Sequence, residues 1–306
     1  MRPRNAGRVV PPVVTHECRC VTRPIRIERP DDPRLADYAA LTDAHLRKRY
    51  EHQHGVLIAE GPNPVRALVD SPYPVRSVLL AEERLEAMRD VVDALAPAAD
   101  LYLVTREVLY EVVRFKLHQG VIACAGRLPP TSPAAIVRDA RRLVLLEGLN
   151  DHENLGTLFR SARALAVDGA LLGPGCADPL YRRSVRVSMG HVLHVAHTRV
   201  DDVAATVADL HAAGVTTLAL TPASDAVDLR DLELPADART AVLLGAEGPG
   251  LTDEAITAAH HRVRIPMHAG VDSLNVATAA AIAFAALSPR PSSGVHARRA
   301  GGAGPP

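Results

Sequence analysis

Residues 242–287 read VLLGAEGPGLTDEAITAAHHRVRIPMHAGVDSLNVATAAAIAFAAL. Two apolar runs of strand character, each followed by a loop of small residues, precede an almost wholly apolar helix. The first run ends at Gly245, ahead of Glu247-Gly248-Pro249-Gly250. The second ends at Ile265-Pro266-Met267, and Ser273-Leu274-Asn275 makes a turn before the helix. Strand ends followed by such loops would bring backbone amides close to one small ligand, an approach that a Cβ would block.

Working outward from this stretch, the chain of 306 residues is long enough for two domains, and its 47% hydrophobic content supports real cores. Aromatic residues make up 3% and tryptophan is absent, so the cores should be built from small aliphatic side chains, and aromatic platforms for stacking bases are not expected. Basic and acidic residues balance at 35 each, which argues against coating nucleic acid through bulk positive charge; any RNA contact must be local. Cys18, Cys20, Cys124 and Cys176 are too few and scattered for a disulfide framework, which fits a reducing cytoplasm. Cys18 and Cys20 beside His16 lack a second ligand pair, so no metal is expected. No signal-peptide core and no apolar run of about 18 residues is visible, so neither export nor membrane insertion is expected.

Residues 1–22 and 288–306 are rich in Pro, Gly and Arg, lack hydrophobic periodicity, and read as disordered tails. Between them strands and helices alternate, which favours an α/β fold. The run Leu128-Pro129-Pro130-Thr131-Ser132-Pro133 marks a linker over 128–138, dividing a small α/β domain at 23–127 from a larger one at 139–287. In the first domain 56–60, 75–80, 101–104 and 120–126 read as strands. Its basic patches include His45-Leu46-Arg47-Lys48-Arg49-Tyr50, either an RNA contact or a solvated helix face.

The second domain opens with a strand at 143–149 and a helix from about Leu155 to Ala166, in which Leu155, Leu158, Phe159, Ala162 and Leu165 should face the sheet. Arg160 and Arg163 fall outside that stripe. Asn154 precedes the helix as either an N-cap or a functional polar group, at a helix start suited to an anion. Arg182, Arg183 and Arg186 lie in a short helical run as an RNA phosphate grip or a solvated face. His191, His194 and His197 alternate with apolar residues as on a strand, without the convergence a metal needs.

Asn154-Leu-Gly-Thr-Leu-Phe-Arg160, Ser188-Met-Gly190, Leu244-Gly-Ala-Glu-Gly-Pro-Gly-Leu251 and Ile265-Pro-Met with Ser273-Leu-Asn275 together resemble the three ordered motifs of the SpoU (TrmH-type) RNA 2′-O-ribose methyltransferases, of the SPOUT superfamily. The resemblance covers 143–287. More weakly, 55–126 is similar to the family's L30e-like substrate-binding domain. It implies a C-terminal parallel-sheet SPOUT domain with a deep trefoil knot, an exception to unknotted topology. It also implies S-adenosyl-L-methionine held in the knot and an active site completed across a homodimer.

By matching position, Leu220, Thr221, Gly245, Ile265, Pro266 and Leu274 would hold the cofactor. An adenine ring needs a flat apolar slot with backbone donors and acceptors, which strand ends followed by Gly and Pro loops supply. Arg160, Asn154, Glu247, Ser273 and Asn275 would be catalytic. A ribose hydroxyl needs help to lose its proton, but a guanidinium is normally charged, so positioning suits Arg160 better than the role of base. Asn275 and Ser273 also fit a helix cap and a turn, whereas a lone carboxylate at Glu247 has little packing value. The first motif departs from the family in lacking Pro after Asp151 and in ending Ala166-Val167-Asp168-Gly169.

Ribosomal RNA is the expected substrate, with transfer RNA, or a non-catalytic RNA-binding protein on the same fold, as alternatives. No Rossmann or P-loop glycine pattern stands between a strand and a helix, which excludes those nucleotide enzymes.

Overall fold

A computed structural model describes residues 23–39, 41, 50–51, 53–115, 117–268 and 270–288. The expected tails apart from Ser288, the His16, Cys18 and Cys20 group, and Arg47, Lys48 and Arg49 lie outside them.

The first domain is a mixed five-stranded sheet in the order β1-β4-β3-β5-β2, formed by Ile25–Arg26 (β1), Val56–Glu60 (β2), Val75–Ala81 (β3), Asp100–Val104 (β4) and Val121–Gly126 (β5). β3 runs parallel to β4 and antiparallel to β5. Helices α1 (Pro62–Val69), α2 (Arg89–Ala94) and α3 (Arg106–Val113) connect the strands. All four strands read from the sequence are present.

The following helix, α4 (Pro133–Asp139), occupies most of the segment expected as a linker. Ser132 caps it by accepting from the Ala135 amide, and Pro133 takes the first turn, where a missing N–H costs nothing. Ile136 then buries itself in the second domain's core, so Pro133 begins a helix of that domain.

The second domain is a seven-stranded, wholly parallel sheet. Its strands are Arg142–Leu146 (β6), Gly169–Leu172 (β7), Ala196–Arg199 (β8), Val215–Leu220 (β9), Val227–Asp228 (β10), Arg239–Leu244 (β11) and His261–Arg264 (β12). Their order is β10-β12-β9-β11-β6-β7-β8. The chain moves outward through β7 and β8 and then returns across the sheet, so β11 lies between β9 and β6. Parallel strands present their C-terminal ends on one edge, and a ligand crevice belongs where the order reverses.

Helices α5 (His152–Ala164) and α9 (Val276–Leu287) pack together on one face, and their apolar residues share a core cluster with the first domain. Helices α7 (Val203–Ala212) and α8 (Asp253–Ala258) join α4 in the cluster of the other face. In α5, Leu155, Leu158, Phe159 and Ala162 are buried, as the helical spacing predicts, with Leu165 packed at the margin.

Three local readings are corrected. The first strand of this domain stops at Leu146, although the Glu147 amide extends the ladder to Leu244 O. Helix α5 begins at His152, because the Asp151 side chain accepts from the amides of Glu153 and Asn154; Asp151, not Asn154, is its N-cap. Residues His191–His194 form a 3-10 turn rather than a strand face. His194 Nε2 sits 3.0 Å from Ala67 O, while His197 lies on β8 against Phe159.

The domains are docked by charged and close contacts. Glu60, at the end of β2, pairs with Arg182 at 3.1 Å and Arg186 at 3.4 Å, both on α6 (Arg182–Val187). Arg182 also donates to Leu41 O and lies over the Phe115 ring. Arg127 meets Asp178 at 2.7 Å. Burial opposes ionisation of Asp178, but the Arg127 guanidinium outweighs it and holds the carboxyl below its ordinary range. Gly190 has φ +83°, and a Cβ there would stand 2.4 Å from the Ala67 Cβ, so this turn can approach α1 only as glycine.

Candidate functional site

The C-terminal ends of β9, β11 and β12 and the start of α9 enclose a cavity of about 590 Å³. That volume suits a nucleotide-sized ligand. Leu220, Thr221, Gly245, Ile265 and Leu274 line it, together with Glu247, Ser273 and Asn275. Pro266 is not among the lining residues. Ile256 from α8 and Val276 and Ala279 from α9 complete the wall. Val276 and Ala279 could have been found from their helical spacing after Asn275, whereas nothing in the sequence placed Ile256 there.

The loop after β11 is a tight hairpin in which Ala246 and Gly250 exchange backbone hydrogen bonds of 3.1 and 3.0 Å. Gly248 and Gly250 take φ values of +85° and +79°, which L side chains rarely adopt. At Gly245 the reason for glycine differs from the sequence expectation. A Cβ there would lie 2.0 Å from the Gly250 carbonyl carbon, so the missing side chain makes room for the loop itself rather than for a ligand.

At the mouth of the cavity three side chains from three elements meet. Asn154, in the first turn of α5, donates through Nδ2 to Glu247 Oε1 at 2.5 Å. Asn275 donates through Nδ2 to Asn154 Oδ1 at 2.8 Å and lies 3.4 Å from Glu247 Oε1. Asn275 Oδ1 meanwhile accepts from the amides of Ala277 and Thr278, so the residue caps α9 and holds the network with its two ends. Because Asp151 does the capping of α5, the amide of Asn154 is available to Glu247. A carboxylate fixed by two amides beside a cavity can orient a hydroxyl and accept its hydrogen bond.

Arg160 is exposed, with no hydrogen bond or ion pair among the described residues. It lies six residues beyond Asn154, a rise of about 9 Å along the helix, and is not joined to the Asn154–Glu247–Asn275 set. Near it, His191 is held below the ordinary histidine range, first by desolvation and then by the charges of Arg160, His194 and Arg163. Arg183 pairs with Glu153 at 2.5 Å on an exposed surface. Arg182 is engaged by Glu60 and Leu41, so it serves as a tie between domains, and Arg186 shares Glu60 at the edge of that contact. Among the described residues, no group of three or more His, Cys, Asp or Glu is placed to hold a metal ion, and no helix is long and apolar enough to cross a membrane.

A parallel sheet with a glycine-walled cavity at its reversal point and a polar cluster at the mouth defines a small-ligand enzyme of the α/β class. The chain belongs to the SpoU rRNA methylase family, whose model matches residues 141–285, while a model for RNA 2′-O ribose methyltransferase substrate binding matches 58–130. It is an RNA methyltransferase of that family. An uncharacterized tRNA/rRNA methyltransferase of Mycobacterium tuberculosis is 43% identical over 274 residues, covering 88% of this chain and 94% of the relative. Among solved structures, the AdoMet-bound rRNA methyltransferase of Sinorhizobium meliloti superposes with a TM-score of 0.73 at 24% identity, covering 86% of this chain and 97% of that one. An RNA 2′-O ribose methyltransferase superposes with a TM-score of 0.68 at 25% identity, covering 86% and 98%.

Proposed function

We propose that this protein methylates a ribose 2′-hydroxyl of ribosomal RNA, using S-adenosyl-L-methionine. The observation that carries the reading is the Asn154–Glu247–Asn275 network at the mouth of the cavity. The residues present fit the cofactor: Leu220, Ile265 and Leu274 offer apolar surface for an adenine, and the Gly245–Gly250 hairpin lines the cavity. When bound, the cofactor supplies an electrophilic methyl group. The chain's own residues do the rest. Glu247, oriented by Asn154 and Asn275, accepts a hydrogen bond from the hydroxyl, and Ser273 lines the same approach. Arg160, charged at neutral pH, positions the neighbouring phosphate.

Its distance from the network is consistent with a homodimer in which Arg160 of one copy serves the other. The exposed Ile282 on the apolar helix α9 supports such a contact. The knotted path of the C-terminal segment and a cytoplasmic location belong to the same proposal. The two-domain docking supports ribosomal RNA, since the first domain extends the surface beside the catalytic one, and Arg183 and Arg186 lie close to that seam.

The test is transfer of labelled methyl from S-adenosylmethionine to separate pools of unmodified ribosomal and transfer RNA, with the label mapped to ribose or base and Arg160→Ala as control. Ribose label in ribosomal RNA, lost in the mutant, is expected. Label confined to transfer RNA would change the substrate, and base label would overturn the ribose mechanism.

A further inference from the structure

We propose that Glu147 is a positioning residue that clamps the cavity hairpin shut, holding the cofactor loop in its binding shape before any ligand arrives. The inference rests on the cavity's being the cofactor site. Glu147 stands just beyond β6, and its amide donates to Leu244 O at 2.9 Å, fixing its backbone against the end of β11. Its carboxylate then reaches across the root of the hairpin. Oε2 accepts from the Thr252 amide at 2.9 Å and Oε1 accepts from Thr252 Oγ1 at 3.0 Å. The Thr252 hydroxyl at the same time accepts from the Ala255 amide and caps α8. One carboxylate thus ties the exit of the 245–251 loop to the sheet.

The entrance of that loop is held by the neighbouring residue. Gly148 has φ +67°, and a Cβ there would stand 3.0 Å from the Ala246 Cβ, so the chain at 148 runs beside the start of the loop with little room for a side chain, while the Glu147 side chain holds the loop's end. The loop between carries Glu247, whose carboxylate meets Asn154, seven positions after Glu147. The segment 147–154 therefore grips both the frame of the loop and its functional side chain. A positive-φ, glycine-rich hairpin has a large conformational freedom to lose, and restraining it beforehand removes that cost from binding.

The clamp is distinguishable from a purely electrostatic role of Glu147 toward a cationic ligand. Gln at this position retains both ties, because its carbonyl can accept from the Thr252 amide while its NH2 donates to Thr252 Oγ1; Ala retains neither. In the full-length protein without ligand, hydrogen exchange of the amides between Ala246 and Thr252 should accelerate in Glu147→Ala and stay near the wild-type rate in Glu147→Gln. The Kd for S-adenosylhomocysteine, by calorimetry, should rise roughly five- to tenfold in Glu147→Ala, as when the unclamped loop holds its binding shape about a tenth to a fifth of the time, and recover in Glu147→Gln. Thr252→Val, which keeps the carboxylate, should show part of the same loosening and serves if Glu147→Ala does not fold. Unchanged exchange in Glu147→Ala, or in Thr252→Val where that variant stands in for it, would overturn the clamp, as would a Gln variant as loose or as weak as Ala. A wild-type protein that binds no S-adenosylhomocysteine would refute the cofactor reading instead, with exchange still deciding the clamp.

Discussion

The cavity wall and the domain seam are built by opposite means. Around the cavity, backbone does most of the work: a hairpin of glycines, strand ends and one helix cap, with Asn154, Glu247 and Asn275 drawn into one network. At the seam, long charged side chains from distant positions find each other, as Glu60 does with Arg182 and Arg186 across more than a hundred residues of chain. A Cβ added at Gly245 has no room, whereas an ion pair of the seam loses only the partner removed. Substitutions in the two regions should therefore fail differently.

The largest effect is expected at Gly245. Its Cβ would fall 2.0 Å from the Gly250 carbonyl carbon, so Gly245→Ala must displace the hairpin. We expect cofactor binding and methyl transfer to be lost, with a stability loss on the order of 2–3 kcal/mol in thermal unfolding. A variant that binds normally would show that the hairpin yields freely.

Arg160→Ala comes next. Since Arg160 makes no bond among the described residues, its loss should leave the melting temperature unchanged while methyl transfer falls by about a hundredfold. Parallel losses of stability and rate would assign it to the scaffold.

At the seam, Glu60→Gln leaves Arg182 facing a neutral partner in a half-buried setting. Because that arginine keeps the Leu41 carbonyl and some solvent, the destabilisation should be about 1–2 kcal/mol in denaturant unfolding, below the cost of breaking a fully buried pair. Cofactor affinity should not change. A fall in affinity would mean that the seam and the cavity are coupled.

These contrasts also explain what the sequence revealed. The cavity loops were legible because glycines, a proline and a capping asparagine announce backbone geometry locally, and the buried stripe of α5 followed from its spacing. The reason for Gly245 was not, since the atoms it avoids belong to its own loop. Asp151 as the cap of α5 was available in principle, three residues ahead of Asn154, but both are good caps and only the hydrogen bonds separate them. The proline-rich run at 128–133 reads as a linker although Ser132 before Pro133 forms a standard helix start. The tie that Arg182 and Arg186 make across the seam was illegible for a deeper reason: a cation's partner lies wherever the fold puts a carboxylate, and Glu60 lies in the other domain.

The smallest effect concerns pH. His197, half-buried beside Phe159, is held below the ordinary histidine range mainly by desolvation. The unfolded chain therefore takes up this proton first, and the stability that the neutral ring contributes is present above a pH of about 6.5 and lost as pH falls below it. His197→Gln should flatten the slope of stability against pH in that window. An unchanged slope would place the titration elsewhere.

The central claim, that the backbone-built cavity is the cofactor site and the asparagine–glutamate network its reacting edge, is tested most directly by a crystal structure with S-adenosylhomocysteine. The account predicts the adenine between Leu220, Ile265 and Leu274, with the sulfur directed toward Glu247 and Asn154. A ligand bound elsewhere, or an adenine displaced from the Gly245–Gly250 hairpin, would contradict it.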